Sequence, residues 1–326
     1  MKVLITGGTG TFGQAATRFL ADAGATVTIF SRDEQKQELM AEKFKGRENV
    51  RFFLGDVRDR DRLQLAMNNH EIVIHAAALK IVPKLEFDPA EAVKTNVLGS
   101  MNVISCALEA ARHGAARRVV LLSTDKAVNP VNLYGATKKT AEHLFRAANN
   151  LGYGGLPKFS AVRYGNVWGS RGSVIEIWER QHAVGLPVTI TDPQMTRFFM
   201  TAQDAVDLVL RALADMLSPR TPGGGIYLPK LKAYRLDELW EAFSLAHSIE
   251  ERAVITGIRD GEKTHEALIS PYEVPFMKEH GPGHVIGMTR LPERERLDGV
   301  CMSSDVAELM TVENLVEHIR GSACCS

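Results

Sequence analysis

Short apolar runs, rich in Val, Ile, Leu and Phe, recur through the first half of the chain at 3–6, 26–30, 51–54, 72–75, 119–123 and 159–163. Each is bounded by polar or glycine-containing segments, and between them lie stretches with helical spacing at 13–23, 61–67, 89–112 and 134–150. Strands that are apolar almost without interruption, alternating with helices, predict an α/β fold: a doubly wound parallel sheet of Rossmann type, covered on both faces. The regularity weakens after about residue 165, where Pro187, Pro193, Pro219, Pro222 and Pro229 punctuate the chain. The expected division is therefore a dinucleotide-binding domain over 1–165 and a smaller, mainly substrate-binding lobe over 166–326. The helix at 204–216 and the strand at 226–229 are expected to bring 200–230 back to the sheet.

Composition changes this picture little. With 326 residues, 45% of them hydrophobic, the chain can bury a sizeable core. Lys plus Arg and Asp plus Glu number 39 each, so no overall field holds nucleic acid or an anionic membrane, and an anionic ligand needs a local site. No run is long enough to span a bilayer, and a strand starting near Lys2 leaves no room for a leader peptide. Cys106, Cys301, Cys324 and Cys325 have neither metal-ligand nor disulfide-framework spacing, so no metal and a reducing cytoplasm are expected.

The first strand runs into Gly7-Gly8-Thr9-Gly10-Thr11-Phe12-Gly13 and then a helix. Gly7, Gly10 and Gly13 suit a tight turn, close backbone approach to a pyrophosphate and close helix packing, with the helix N-terminus facing the phosphates. At the tip of the second strand, Ser31-Arg32 and Lys36 present cations suited to a 2′-phosphate, so NADP is expected over NAD, although Asp33 intervenes. Asp56, followed by Val57, either caps the next helix or meets the adenine amino group. Ala76, Ala77 and Ala78 end the fourth strand with side chains small enough for a flat cofactor to lie over them.

After the fifth strand come Ser123-Thr124-Asp125-Lys126 and then Tyr134 and Lys138, four apart on one helical face. A nearby ammonium and a positive nicotinamide ring are expected to lower the phenol's pKa, so that Tyr134 takes a hydroxyl proton as hydride leaves the same carbon. Asp125 beside Lys126 reads in two ways: an acid and a base placed for elimination, or a polar turn with Asp as a helix cap.

The stretches STDKAVNPVNLYGATK (123–138) and RYGNVWGSRGSV (163–174), with the glycine loop and 257–265, resemble the UDP-N-acetylglucosamine 4,6-dehydratases of the extended short-chain dehydrogenase/reductase family. The likeness is strongest to the configuration-inverting branch that opens pseudaminic acid biosynthesis. It implies that Tyr134 and Lys138 oxidise sugar C4 with Thr124 bonded to the reacting hydroxyl. Asp125 then protonates the departing 6-hydroxyl, Lys126 takes the C5 proton, and hydride returns to C6. It implies a UDP-sugar partner met by Lys80, Asn96, Asn166, Arg171, Arg197, Arg259 and Glu262, of which Asn96 reads equally well as structural. A homo-oligomer is expected. Trp168 and Glu176 depart from the family pattern, where a small residue and a proline are usual. A 4-epimerase needs the Tyr–Lys pair but not Asp125-Lys126, and a nucleotide-sensing or RNA-binding relative would have lost Tyr134 and Lys138.

Overall fold

The computed structural model describes residues 1–250, 252–297, 299–300 and 302–323; Cys301, Cys324 and Cys325 lie outside them. Six parallel strands, β1 (Lys2–Thr6), β2 (Thr26–Ser31), β3 (Val50–Leu54), β4 (Ile72–His75), β5 (Arg118–Thr124) and β6 (Lys158–Tyr164), form most of one sheet. Their order is β3-β2-β1-β4-β5-β6. The chain reverses its direction of winding between β1 and β4, which leaves a crevice at the carboxyl ends of the strands.

Side-chain alternation explains why the strands read as unbroken apolar runs. Leu4, Val119, Leu121, Phe159 and Ala161 face one core, while Val3, Ile5, Val120, Leu122 and Val162 face the other. The first core is closed by the Arg60–Met67, Gly99–Arg112 and Leu133–Ala148 helices, and the second by Thr11–Asp22 and Ala202–Asp215. Both faces of the strands inside the sheet are therefore withdrawn from water, whereas edge strand β3 stays half-buried with Arg51 and Leu54 exposed.

The later chain returns to this sheet twice. Ile226–Pro229 pairs parallel with β6, and the hairpin of Met277–His280 and Gly283–Ile286 pairs antiparallel beyond it. A second body rests on its own core, with Trp178, Ile190, Leu239, Phe243 and Leu315 buried together. It carries a three-stranded sheet of Ala233–Arg235, Thr196–Met200 and Asn166–Val167.

The region expected as one helix over 89–112 is not uniform. Pro89–Ala92 and Gly99–Arg112 are α-helical, but Val93–Leu98 between them forms a π turn. Such wide turns often mark positions where a side chain is re-aimed, and here Asn96 lies within it.

Candidate active site

The glycine loop is built by contact as much as by backbone freedom. Gly7 has φ of 68°, and a Cβ there would lie 2.7 Å from the Ala77 backbone; one on Gly13 would lie 2.2 Å from the Gly8 carbonyl oxygen. Gly10 differs, since its nearest contact would be an ordinary 3.4 Å. Internal packing does not require glycine at that point, so the open space lies on the ligand side. Gly10 also begins the Thr11–Asp22 helix, whose first N–H groups receive no side-chain cap. Phe12 is buried beneath the loop, and the Thr9 carbonyl accepts from Gln14 at 3.2 Å. This cradle fits a pyrophosphate.

At the β2 tip, Gln37 donates to the Ser31 hydroxyl at 3.1 Å and to its carbonyl at 2.9 Å. Asp33 caps the following helix, accepting from the Lys36 backbone at 3.0 Å, and its carboxylate also holds the Lys36 ammonium. The Lys36 charge is thus matched within its own turn, which weakens its expected part in phosphate recognition. Arg32 is the more available cation: its side chain is 49% exposed and faces Asp56 at 3.5 Å. Asp56 does not cap the next helix, because Asp59 accepts from Arg62 there. Instead, Arg58 grips the Asp56 carboxylate at 2.9 and 2.7 Å, which keeps its pKa low against the opposing effect of burial. Val57 packs into the core. His75 at the end of β4 bridges Thr6 at 2.7 Å and Ser100 at 3.1 Å, which fixes the strand end before half-buried Ala76, Ala77 and Ala78.

The catalytic candidates converge at the ends of β5 and β6. Thr124 closes β5, and its hydroxyl donates to Asp125 at 3.0 Å and lies close enough to the Tyr134 phenol to favour its ionised form. Lys126 donates to Asp125 at 3.1 Å and to Asn166 at 3.5 Å. Tyr134 and Lys138 lie on the Leu133–Ala148 helix, capped by Asn132. A Cβ on Gly135 would come within 2.1 Å of the Lys126 carbonyl oxygen. Glycine there lets the helix start directly against the Asp125-Lys126 turn and brings the phenol to Thr124.

Electrostatics in this cluster differ from expectation at one point. Burial pushes the Tyr134 phenol up, outweighing the Lys126 ammonium and the Thr124 hydrogen bond. The lowering expected from a neighbouring lysine is therefore not achieved by the polypeptide alone. Burial also pushes Lys138 down to about 8. Lys126 behaves oppositely: burial is overridden by Asp125 and by Glu266, whose carboxylate lies 3.1 Å away, so the ammonium is held well above the ordinary lysine range.

Several expected ligand contacts border the same crevice. Lys80 is exposed at its lip, with its pKa lowered by desolvation and by the charges of Lys126 and Arg171, against Glu176. Arg171 is exposed, and its charge acts on both Lys80 and Asp33. Arg197 donates to the carbonyls of Thr196 at 2.8 Å and Thr264 at 3.0 Å, and its charge reaches Lys126. Arg259 faces Glu262 at 3.7 Å in a loop stapled to the site by Asn132 to Gly261 (2.7 Å) and Lys263 to Val128 (2.6 Å). Asn96 is the exception. Its amide bonds both backbone groups of Leu79, at 2.8 and 3.0 Å, and donates to Thr137 at 3.1 Å. It is buried and positions the segment leading to Lys80 instead of facing a sugar. Trp168 packs on Phe199 at 5.2 Å, Tyr234 and His318, and lines a small cavity with Asn166 and Ser173. Ser173 caps the Val174–Ala183 helix by accepting from the Glu176 N–H at 3.4 Å, and the Glu176 carboxylate accepts from the Gly172 N–H.

A family model described as "Polysaccharide biosynthesis protein" matches residues 3–286. This chain belongs to that family, within the extended short-chain dehydrogenase/reductases. A protein of Campylobacter jejuni named UDP-N-acetylglucosamine 4,6-dehydratase (inverting) is 44% identical over 272 residues, covering 82% of this chain and 77% of its own. A Rickettsia rickettsii protein named UDP-glucose 4-epimerase is 40% identical, with coverages of 83% and 78%. The solved structure of Pen from Bacillus thuringiensis superimposes with a TM-score of 0.88 at 34% identity, covering 98% of this chain and 97% of that one. Among the described residues, no helix is long and apolar enough to cross a membrane, and no group of potential metal ligands is present.

Sequence reading missed Glu266 and Lys263, which join Lys126 from a segment remote in the chain. Their only local signal was their place at the end of the Gly261-Glu262-Lys263-Thr264-His265-Glu266 run.

Proposed function

We propose that the chain is an NADP-dependent hydro-lyase that converts UDP-N-acetylglucosamine to its 4-keto-6-deoxy product with inversion at C5. The hydro-lyase class is supported by the dehydratase relative at 44% identity. The observation that carries the reading is the hydrogen-bonded Asp125–Lys126 pair set one residue beyond Thr124, whose hydroxyl acts on the Tyr134 phenol. One cluster thereby joins an oxidation site to an acid–base pair.

The glycine loop, Ser31, Arg32 and the Ala76–Ala78 strand end would hold the dinucleotide, with Arg32 the main reader of a 2′-phosphate. Bound there, a nicotinamide would supply the hydride acceptor for C4 and the hydride donor for C6. Tyr134 accepts the C4 hydroxyl proton, and Thr124 orients that hydroxyl. The resulting ketone acidifies C5–H, Lys126 takes that proton, and Asp125 protonates the departing 6-oxygen as water. Asn166, Arg171, Arg197, Arg259 and Glu262 border the position of the UDP-sugar, where arginine forks suit a diphosphate.

The epimerase relatives support a second reading, in which C4 is oxidised and reduced without loss of water. Proton NMR of UDP-N-acetylglucosamine incubated with the enzyme in deuterated water separates the two. A C6 methyl signal with deuterium at C5 is expected, and H5 couplings in protonated water should report the L-arabino product. Epimerised sugar with its C6 hydroxyl intact would refute the dehydratase reading, and a D-xylo product would refute inversion alone.

A further inference from the structure

Glu266 is buried although its own segment is loop, and three features aim it. Its backbone N–H donates to the Ser304 hydroxyl at 3.0 Å, Ser304 bonds Thr196 at 2.6 Å, and Thr196 bonds His265 at 2.8 Å. One carboxylate oxygen lies 3.1 Å from Lys126 Nζ, and the other lies 3.7 Å from Lys263 Nζ without a hydrogen bond. The groups facing Lys126 are Asp125 on its own turn, Glu266 and Lys263 from the 262–266 segment, and Arg197 from its strand. Tyr134 from the catalytic helix, Tyr234 and Lys80 complete the set. Only two of these are anions, and one of them, Asp125, must become neutral to act as an acid.

We propose that Glu266 is the positioning residue of the elimination step, the standing counter-charge that keeps one shared proton on the Asp125–Lys126 pair. The inference rests on the dehydratase reading above. At rest the proton is on Lys126. It passes to Asp125 along their hydrogen bond, leaving an amine and an acid side by side. The C5–H electron pair then forms the C5–C6 double bond as the C6–O bond breaks. Lys126 receives the C5 proton and Asp125 gives its proton to the departing oxygen, so the pair returns to its resting charge. The proton that C5 later recovers is matched by the one Tyr134 took from the C4 hydroxyl. While Asp125 is protonated, Glu266 is the anion left to hold the lysine in place. If the pair loses its shared proton, Asp125 has nothing to donate, so the alkaline limit of water loss reports how firmly that proton is held.

The test compares wild type, Glu266→Gln and Glu266→Asp on UDP-N-acetylglucosamine across the pH range. Product is followed by NMR, and C4 oxidation by single-turnover absorbance of the reduced nicotinamide. Glu266→Gln should oxidise C4 at close to the wild-type rate but lose water more slowly, on the order of tenfold or more. Its alkaline limb should move down by roughly one to three pH units, because one of two opposite charges has been removed. Glu266→Asp, which keeps the charge but withdraws it from Lys126, should place the limb between those of Glu266→Gln and wild type. A Glu266→Gln limb coincident with wild type, or oxidation and water loss falling in equal proportion, would make Glu266 merely structural. Should Glu266→Gln not fold, Glu266→Asp carries the test: a limb lowered by the withdrawn carboxylate supports the proposal, and an unmoved one overturns it. Wild type that loses no water at any pH overturns the dehydratase reading and the inference with it, an outcome distinct from a normal wild type with an indifferent variant.

Discussion

Replacing Arg163 by Met tests how the catalytic helix is held. Arg163, fully buried in β6, forks onto Glu142 at 2.9 and 2.7 Å and onto Glu273 at 3.0 and 2.8 Å, and donates to the Leu268 carbonyl at 2.8 Å. Glu142 lies on the same helix as Tyr134 and Lys138, so this network fastens that helix to the sheet and to the segment around 268–273. Methionine fills much of the volume but leaves the two carboxylates with Lys139, at 3.8 and 3.0 Å, as their remaining ion-pair partner among the described residues, beside the Ser270 N–H that donates to Glu273 at 2.9 Å. Removing one member of a buried ionic cluster costs about 3–5 kcal/mol. At roughly 2–4 °C per kcal/mol for chains near this size, the midpoint should fall by on the order of 10 °C. The pH dependence gives the sign. In the wild type, burial raises the pKa values of Glu142 and Glu273, but Arg163 overrides it and both are depressed. Their stabilisation is present above the unfolded carboxylate range and is lost as pH falls through the folded values. In the variant the main opposition to burial is gone, with only Lys139 and the Ser270 N–H left against it, and the folded state gains protons first, so the deficit should be largest at neutral pH and shrink in mild acid. Urea unfolding followed by circular dichroism, at neutral pH and near pH 5, measures both. A deficit below about 1 kcal/mol at neutral pH, or one that does not change with pH, would refute the argument.

Three further outcomes are expected. Tyr134→Phe should abolish cofactor reduction, whereas Asp125→Asn should still oxidise C4 and accumulate reduced cofactor, read by its near-ultraviolet absorbance; an Asp125→Asn variant that turns over normally would make that residue a turn cap. Lys138→Met should be inactive yet more stable at neutral pH, by up to about 3 kcal/mol, because burial lowers the lysine's pKa from 10.5 to about 8. The burial penalty is fully felt below about 8 and fades as pH rises to the unfolded value, so thermal melts of the two proteins should converge in alkali. Arg32→Ala should weaken NADP binding by one to two decades, from about 1.5–3 kcal/mol for a charge-assisted contact, with little change for NAD; isothermal titration with both nucleotides checks the difference.

Much of this molecule was legible along the chain because its determinants are local. Strands buried on both faces must be apolar at successive positions, and half-exposed β3 keeps Val50, Phe52, Phe53 and Leu54 around Arg51, so all six parallel strands could be read to within a residue at either end. The glycine loop, the Thr124–Lys126 turn and the Tyr134/Lys138 pair each fit within a few residues, and the fold only had to bring them to one end of the sheet. Tertiary structure decided whatever depends on partners distant in sequence. The Met277–Ile286 hairpin joins the sheet by an edge pairing that its own pattern does not announce. Arg32 faces Asp56 only because β2 and β3 lie side by side. Asn96 is spent on the Leu79 backbone because a π turn aims it there. Glu266 meets Lys126 only because the chain returns from the second lobe to the β5 end. A buried charge takes its meaning from the charges that surround it, and those are chosen by packing, not by neighbours in sequence.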